Sequence, residues 1–201
     1  DQSLLFQNGD ALTYDAASGK YIYDPITPAN QIIKRCAVID TGAQVRIKIA
    51  KLDGSGKPIP LTAGEVTAYE GYLGQIKFAG TSTTVTSADA DDLKLDLFIQ
   101  YDPQVLDSNG ADLNDPAVFP VDDAITAYIE NIPFNGILNL TALNDSIQAA
   151  EGVLDSVINS AEAKFGLLPY SAINTNYVPD AGHLELDQVN STITYTSLIV
   201  T

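Results

Sequence analysis

The chain is poor in the residues that most chemistry needs. Its 201 residues include one cysteine, one histidine, no methionine and no tryptophan. A single cysteine, Cys36, excludes an internal disulfide framework. It lies in the apolar run Cys36-Ala37-Val38-Ile39 and reads as a small core residue, since the only histidine, His183, is distant in sequence. One histidine excludes a Cys/His zinc cluster and leaves no spacing to support a Ser/His/Asp set. His183 itself follows Gly182 at the start of an expected strand and reads as a structural or edge residue. Bases are also scarce, ten against 26 acids, for a formal net charge of −16 and a pI of about 4.1. Phosphate backbones and anionic membrane surfaces repel such a surface, so neither nucleic acid nor membrane is an expected partner. No apolar run reaches the ~18 residues of a membrane span. Methionine is missing even at position 1, which leads us to expect a fragment or processed product that lacks an N-terminal part.

What is present is ordinary globular material. Hydrophobic residues make up 45% and mean hydropathy is +0.05. A chain of this length can bury about 70% of its unfolded surface, in one large domain or two small ones. Residues 1–30 are turn-rich, with short β-prone pieces at 11–14 and 20–23 that read as a hairpin after an irregular lead-in. An apolar strand is expected at 31–40, and Val45-Arg46-Ile47-Lys48-Ile49 alternates strictly, as a half-buried strand does. Residues 62–78 carry Val66, Tyr69, Leu73 and Ile76 at helical spacing, weakened by Gly64, Gly71 and Gly74 and ended by Gly80. Strands follow at 83–86 and 93–101, the second with Leu93, Leu95, Leu97, Ile99 and Tyr101 on one face.

Residues 102–118 form a polar, proline-containing link. Beyond it, Pro120 suits a first helical position and Asp122 and Asp123 a first turn, ahead of the stripe Ala124, Ile125, Tyr128, Ile129, Ile132. A short strand at 137–140 leads to a second helix, with Thr141 as N-cap, Leu143, Ile147 and Ala150 inward, and Gly152 as the stop. A strand at 153–164 has Val157 and Ala161 as inward candidates, 166–181 is irregular, and 184–186 with 192–198 reads as a closing hairpin around Val189-Asn190-Ser191. The expectation is therefore an α+β fold of two open-faced βα sandwiches with mainly antiparallel sheets and a hairpin at each end. The expected divisions are a lead-in at 1–30, a first subdomain at 31–103 and a second at 119–201, with the boundary near 103–118.

Three loops invite a chemical reading. Asp53-Gly54-Ser55-Gly56-Lys57-Pro58 superficially resembles a phosphate-binding loop, but Lys51 stands where its first glycine is needed and Pro58 replaces the hydroxyl residue. The 107–115 loop spaces Asp and Asn around Gly110 like a calcium loop. Gly110 comes too early, however, and Val118 occupies the twelfth position in place of glutamate, so Asx-turns are the plainer reading. Asp89-Ala90-Asp91-Asp92 reads as a solvated strand lead-in rather than a metal site. No catalytic, cofactor-binding or metal-binding residue is assigned, and no cofactor or small-molecule substrate is expected.

Two stretches carry a family resemblance. One is residues 31–103, with a strand pair, a helix ending in Ala79-Gly80, and a long strand closing on Tyr101-Asp102-Pro103. The other is "VDDAITAYIENIPFNGILNLTALNDSIQAAEGVLDSVINS", residues 121–160, with Ile132-Pro133-Phe134-Asn135-Gly136 at its corner and Gly152-Val153 near its end. Together they cover more than half the chain, and both resemble the phage baseplate J-like family, the wedge proteins of contractile-tail baseplates and related injection systems. The closing stretch 177–201 resembles the family's closing hairpin more faintly, and residues 1–30 match its pattern poorly. The resemblance implies a non-enzymatic structural protein of a phage or prophage-derived tail, an oligomeric virion component that associates with other wedge subunits and with itself. Its implied location is the virion tail baseplate, assembled in the bacterial cytoplasm. Similar proteins, mostly of Bacteroides-type phages and prophages, are sometimes labelled nucleotidyltransferases. That chemistry needs Gly-Ser followed by spaced metal-binding aspartates on a strand, whereas Gly54-Ser55 is followed by Gly56-Lys57-Pro58. An adhesin-like surface domain is the alternative that the ten tyrosines and acidic surface allow.

Overall fold

Period-two alternation builds the central strand of each sheet. The computed structural model describes residues 2–198 and divides the chain into two units, Asp1–Asp89 and Ala90–Thr201. The α+β class expected from the sequence is the class observed, and each unit has its own core.

In the first unit, β1 (Thr13–Asp15) and β2 (Lys20–Ile22) form the expected antiparallel hairpin, turned by the Asp15 carboxylate accepting from Ala17 N at 3.0 Å. β3 (Arg35–Asp40) runs antiparallel to β4 (Val45–Leu52), with Cys36 opposite Ile49 and Val38 opposite Ile47. β3 starts at Arg35 rather than at Gln31, because a 3-10 turn at Pro28–Asn30 precedes it and residues 31–34 lie outside the strand. After β5 (Pro58–Ile59) comes α1 (Ala63–Ile76), which opens on a capping box. Thr62 Oγ1 accepts from Glu65 N at 3.3 Å, and Thr62 N donates to Glu65 Oε2 at 2.6 Å. The three glycines in α1 are offset by tertiary packing: Tyr69, Tyr72 and Leu73 are buried against Phe6, Ile33, Ile47, Ile49 and Leu61. β6 (Thr83–Thr86) then returns parallel to β4.

In the second unit, β7 (Asp91–Tyr101) is central, and all five of its expected inward residues are buried. α2 (Pro120–Asn131), β8 (Leu138–Asn139) and α3 (Leu140–Gln148) precede β9 (Val153–Lys164), which pairs antiparallel with β7. β10 (Ser171–Ala172), β11 (Asn176–Tyr177), β12 (Leu184–Leu186) and β13 (Thr192–Ser197) follow. The main sheet runs β10-β9-β7-β12, with β13 also on β7, while β11 pairs with β8. Ile125, Ile129, Leu143 and Ile147 pack the two helices onto Leu93, Leu95, Leu97, Ile99, Ala161 and Ala163.

The structure corrects several expectations. The boundary falls at Asp89/Ala90, so β7 belongs to the second unit, and residues 103–118 form a folded loop within that unit. Leu106 and Ala111 are buried in this loop, and Leu106 bridges to Asp112. The closing strands form no hairpin. β12 and β13 both run parallel to β7, end to end along its side, at Asp91–Leu93 and Asp96–Tyr101. Asn139, not Thr141, caps α3, its side chain accepting from Ala142 N at 3.0 Å, and the helix ends at Gln148. Gly152 lies beyond that end at φ +77, where a Cβ would sit 2.6 Å from Leu106 Cγ. Val157 faces away from the core, because the register shifts by one residue between Asp96/Ser160 and Leu97/Ile158. The even spacing of Val157 and Ala161 would otherwise put both on one face.

The 103–118 loop also yields a prediction. Gly110 has φ +83, and a Cβ there would lie 2.2 Å from Tyr195 Cζ. Gly110→Ala should destabilise the second unit by more than ~1 kcal/mol, from strained backbone and displaced ring together. Equal denaturation midpoints for the two proteins would show that the loop does not seat on Tyr195.

Candidate functional site

The polar constellations of the sequence are engaged in holding the fold. Asp53 closes its own loop, with Oδ1 accepting from Ser55 N (2.8 Å), Ser55 Oγ (2.7 Å) and Lys57 N (2.9 Å). The Ser55 hydroxyl and the Lys57 amide hold its carboxyl below the usual range. The amides that would cradle a phosphate are thus directed at a carboxylate of the loop itself. Asp107 acts likewise. Its Oδ1 accepts from Ala111 N at 2.9 Å and Asn109 N at 2.8 Å, and these bonds, the Ala111 amide foremost, lower its pKa. Asp112 and Asp115 make the next turns, accepting from Asn114 N at 2.6 Å and Ala117 N at 3.1 Å. The 107–115 carboxylates therefore address successive backbone amides rather than one common point. Among the described residues, no three His, Cys, Asp or Glu side chains gather as a metal site.

Asp91 departs most from its sequence reading. It is fully buried, not a solvated lead-in. Its Oδ2 accepts from the Tyr177 hydroxyl and from Asp180 N at 2.7 Å, and its Oδ1 accepts from Ala181 N at 2.9 Å. Burial first, and then Asp91, push the Tyr177 hydroxyl pKa up. His183 is half-buried beside this joint. Its ring stacks on Phe134 at 6.1 Å, and its carbonyl accepts from Asp91 N at 3.0 Å. Cys36 is half-buried on β3, where burial raises its thiol pKa and so disfavours the thiolate.

The two units differ sharply in charge. The first holds nine acids and eight bases, a net of −1; the second holds 17 acids and two bases, Lys94 and Lys164, a net of −15. Both lysines are already paired. Lys94 Nζ lies 2.6 Å from Glu162 and Lys164 Nζ 3.0 Å from Asp92, and both ammonium groups lie over the Tyr170 ring, at 5.5 and 4.9 Å. Tyr170 donates in turn to Asp187, which also accepts from Asn190 Nδ2 at 2.7 Å. Sequence reading gave only the total charge. The split follows from the boundary, because moving β7 across it assigns Asp91, Asp92, Asp96 and Lys94 to the second unit.

Asp187 supplies a pH test. Hydrogen bonds from Tyr170 and Asn190 lower its pKa from 3.8 to about 2. A depressed acid contributes stability that is present above its unfolded pKa and lost as pH falls through the folded one. The melting temperature should therefore drop as pH falls from 3.8 toward about 2, and less steeply in Asp187→Asn. Superimposable pH profiles for the two proteins would contradict the assignment.

No helix among the described residues is long and apolar enough to cross a membrane. These features define a two-unit α+β protein with one near-neutral and one strongly acidic unit. No family model matches the chain, and no curated protein matches it.

Proposed function

We propose that the chain is a structural component of a phage or prophage-derived contractile-tail baseplate, acting by protein–protein association rather than catalysis. The observation that carries this reading is the character of residues 121–160, where the family resemblance is densest. They form α2, β8, α3 and most of β9, a block whose polar groups bond to one another and to residues 176–182. Tyr128 OH donates to Asn139 O at 3.1 Å and accepts from Asn139 N at 3.3 Å, Asn139 Nδ2 donates to Asn176 Oδ1 at 2.9 Å, and Asn135 N donates to Gly182 O at 2.6 Å. A block fixed by such bonds suits repeated packing in a symmetric assembly.

A specific observation favours the adhesin-like alternative. Tyr14 and Tyr21 stand exposed on the N-terminal hairpin with ring centroids 5.5 Å apart, the kind of aromatic surface that sugars stack on. Two assays separate the readings. Co-expression with neighbouring wedge subunits should give defined particles in negative stain, with a blank glycan array. A monomer that binds glycans, and loses that binding in Tyr14→Ala/Tyr21→Ala, would replace the baseplate reading with the adhesin one.

A further inference from the structure

Each unit ends its main sheet in a strand that, among the described residues, has a neighbour on one side only: β3 beside β4 and β13 beside β7. A strand edge is a row of backbone donors and acceptors, usually guarded by lysine, proline or a bulge. β13 reads Thr-Ile-Thr-Tyr-Thr-Ser, without charge, proline or glycine, and Thr192, Thr194, Thr196 and Ser197 are exposed. Leu198 N donates to Tyr101 O at 3.0 Å. By the alternation of a parallel ladder, the backbone groups of Ile193, Tyr195 and Ser197 therefore point away from β7. β3 is equally long, six residues, and carries no charge between Arg35 and Asp40.

Charge decides what suits the β13 edge. Asp187 precedes it, Asp96 lies opposite Thr192 on β7, and Asp107 and Asp122 bear on the Tyr195 hydroxyl. Two such edges meeting would bring two units of net −15 together. The β3–β4 region is of opposite sign. Residues 34–51 hold Lys34, Arg35, Arg46, Lys48 and Lys51 against Asp40 alone, half of the chain's ten bases. Lys48 is buried and Lys51 is paired with Glu65, but Lys34 and Arg35 are exposed at the start of β3.

We propose that the β13 edge of one copy pairs with the β3 edge of a second copy, extending a sheet from chain to chain. Each chain then offers one edge and receives another, a heterologous contact that closes into a ring or grows into a filament according to its rotation. This deepens the assembly reading, and it rests on that reading for the claim that the chain functions by self-association.

The test is sedimentation velocity on the full chain over a wide concentration range, at low and high salt. Concentration-dependent association is expected, weakening at high salt as charge-assisted contacts do. Ser197→Pro removes an outward N–H at an exposed edge position where proline is tolerated, and it should weaken association about tenfold or more. Ser197→Ala, which keeps the N–H, should associate like the native chain. Lys34→Glu/Arg35→Glu should weaken association to a similar degree. Mixing Ser197→Pro, whose β3 is intact, with Lys34→Glu/Arg35→Glu, whose β13 is intact, should restore a dimer that grows no further. A native chain that stays monomeric throughout overturns the proposal, as does association unaffected by Ser197→Pro or a mixture that fails to pair. Monomer alone but complex with wedge subunits would overturn this pairing and leave the assembly reading standing. Self-association without joining any wedge complex would do the reverse.

Discussion

Replacing Asp91 by alanine should cost the second unit about 2–4 kcal/mol, because three hydrogen-bond donors lose their acceptor at roughly 1–3 kcal/mol for each one left unsatisfied. The carboxylate is fully buried and receives three hydrogen bonds, from the Tyr177 hydroxyl and from the amides of Asp180 and Ala181, nearly ninety residues further along the chain. Alanine would take the acceptor from all three donors, of which the Ala181 amide is buried and the Tyr177 and Asp180 donors are half-buried, so the loss is mainly the desolvation of unsatisfied groups. Asp91→Asn keeps one carbonyl acceptor but turns an amide donor toward the remaining donors, and its cost should be intermediate, about 1–3 kcal/mol. Tyr177→Phe removes a single hydroxyl and should cost about 1 kcal/mol, because Asp91 keeps both amides. Chemical denaturation followed in the second unit checks the series. A loss below about half a kcal/mol for Asp91→Ala, the range of an ordinary surface substitution, would mean that the joint between β7 and 177–181 is not held by this carboxylate.

Ile125→Ala and Ile147→Ala should each cost about 2–5 kcal/mol, as large-to-small changes in a packed core do. Both side chains are fully buried, one on α2 and one on α3, in the cluster that includes Leu93, Leu95, Leu97 and Ile99 of β7. Ile125→Val, which removes one methyl, should cost about 0.5–1.5 kcal/mol. Ile125 and Ile147 share one cluster, so the double alanine variant is expected to depart from the sum of the single changes, and the sign of the departure reports how far the cavity collapses. Denaturation midpoints of the four variants provide the measurement. Losses below about half a kcal/mol at both sites would show that these stripes do not form the core.

Local regularity in the fold was legible in the sequence; long-range pairing was not. The alternation of Leu93 to Tyr101 and the stripe of α2 follow from period alone, and the structure has them where the pattern puts them. β4 alternates in sequence but is not half-buried, since Lys48 on its other face is buried too; Tyr72 joins the buried side of α1, and Ala150 lies beyond the end of α3. The partner of a strand leaves no comparable trace. Leu184–Leu186 and Thr192–Ser197 flank a turn-like segment and read as a hairpin. Instead, the Asp187 carboxylate accepts from Val189 N and Asn190 N, each at 3.1 Å, and the chain resumes in the same direction, so both strands lie parallel to β7. The bulge in β9 is equally invisible, because one extra residue between paired positions changes no residue type, yet it moves Val157 to the face it shares with Phe98.

Composition misled at both ends of β7. Four residues with three acids, 89–92, suggest solvent, but Asp91 is buried because its acceptors' partners arrive from 177–181. The 103–118 segment is polar enough to read as a linker, and its polar atoms are spent in Asx-turns that wrap Leu106 and Ala111. Those two errors displaced the domain boundary, and with it seven of the second unit's 17 acids. The dismissal of the 53–58 loop as a phosphate site rested on a missing glycine; the geometry adds the stronger reason, since Asp53 already takes the amides.

The most direct test of the proposed baseplate role is mass spectrometry of any contractile-tail particles made by the organism that encodes this chain. The chain is expected in the baseplate fraction at a fixed ratio to the wedge subunits, with chemical cross-links joining it to them. Intact, contractile particles without the chain, made by cells that express it, would contradict the account.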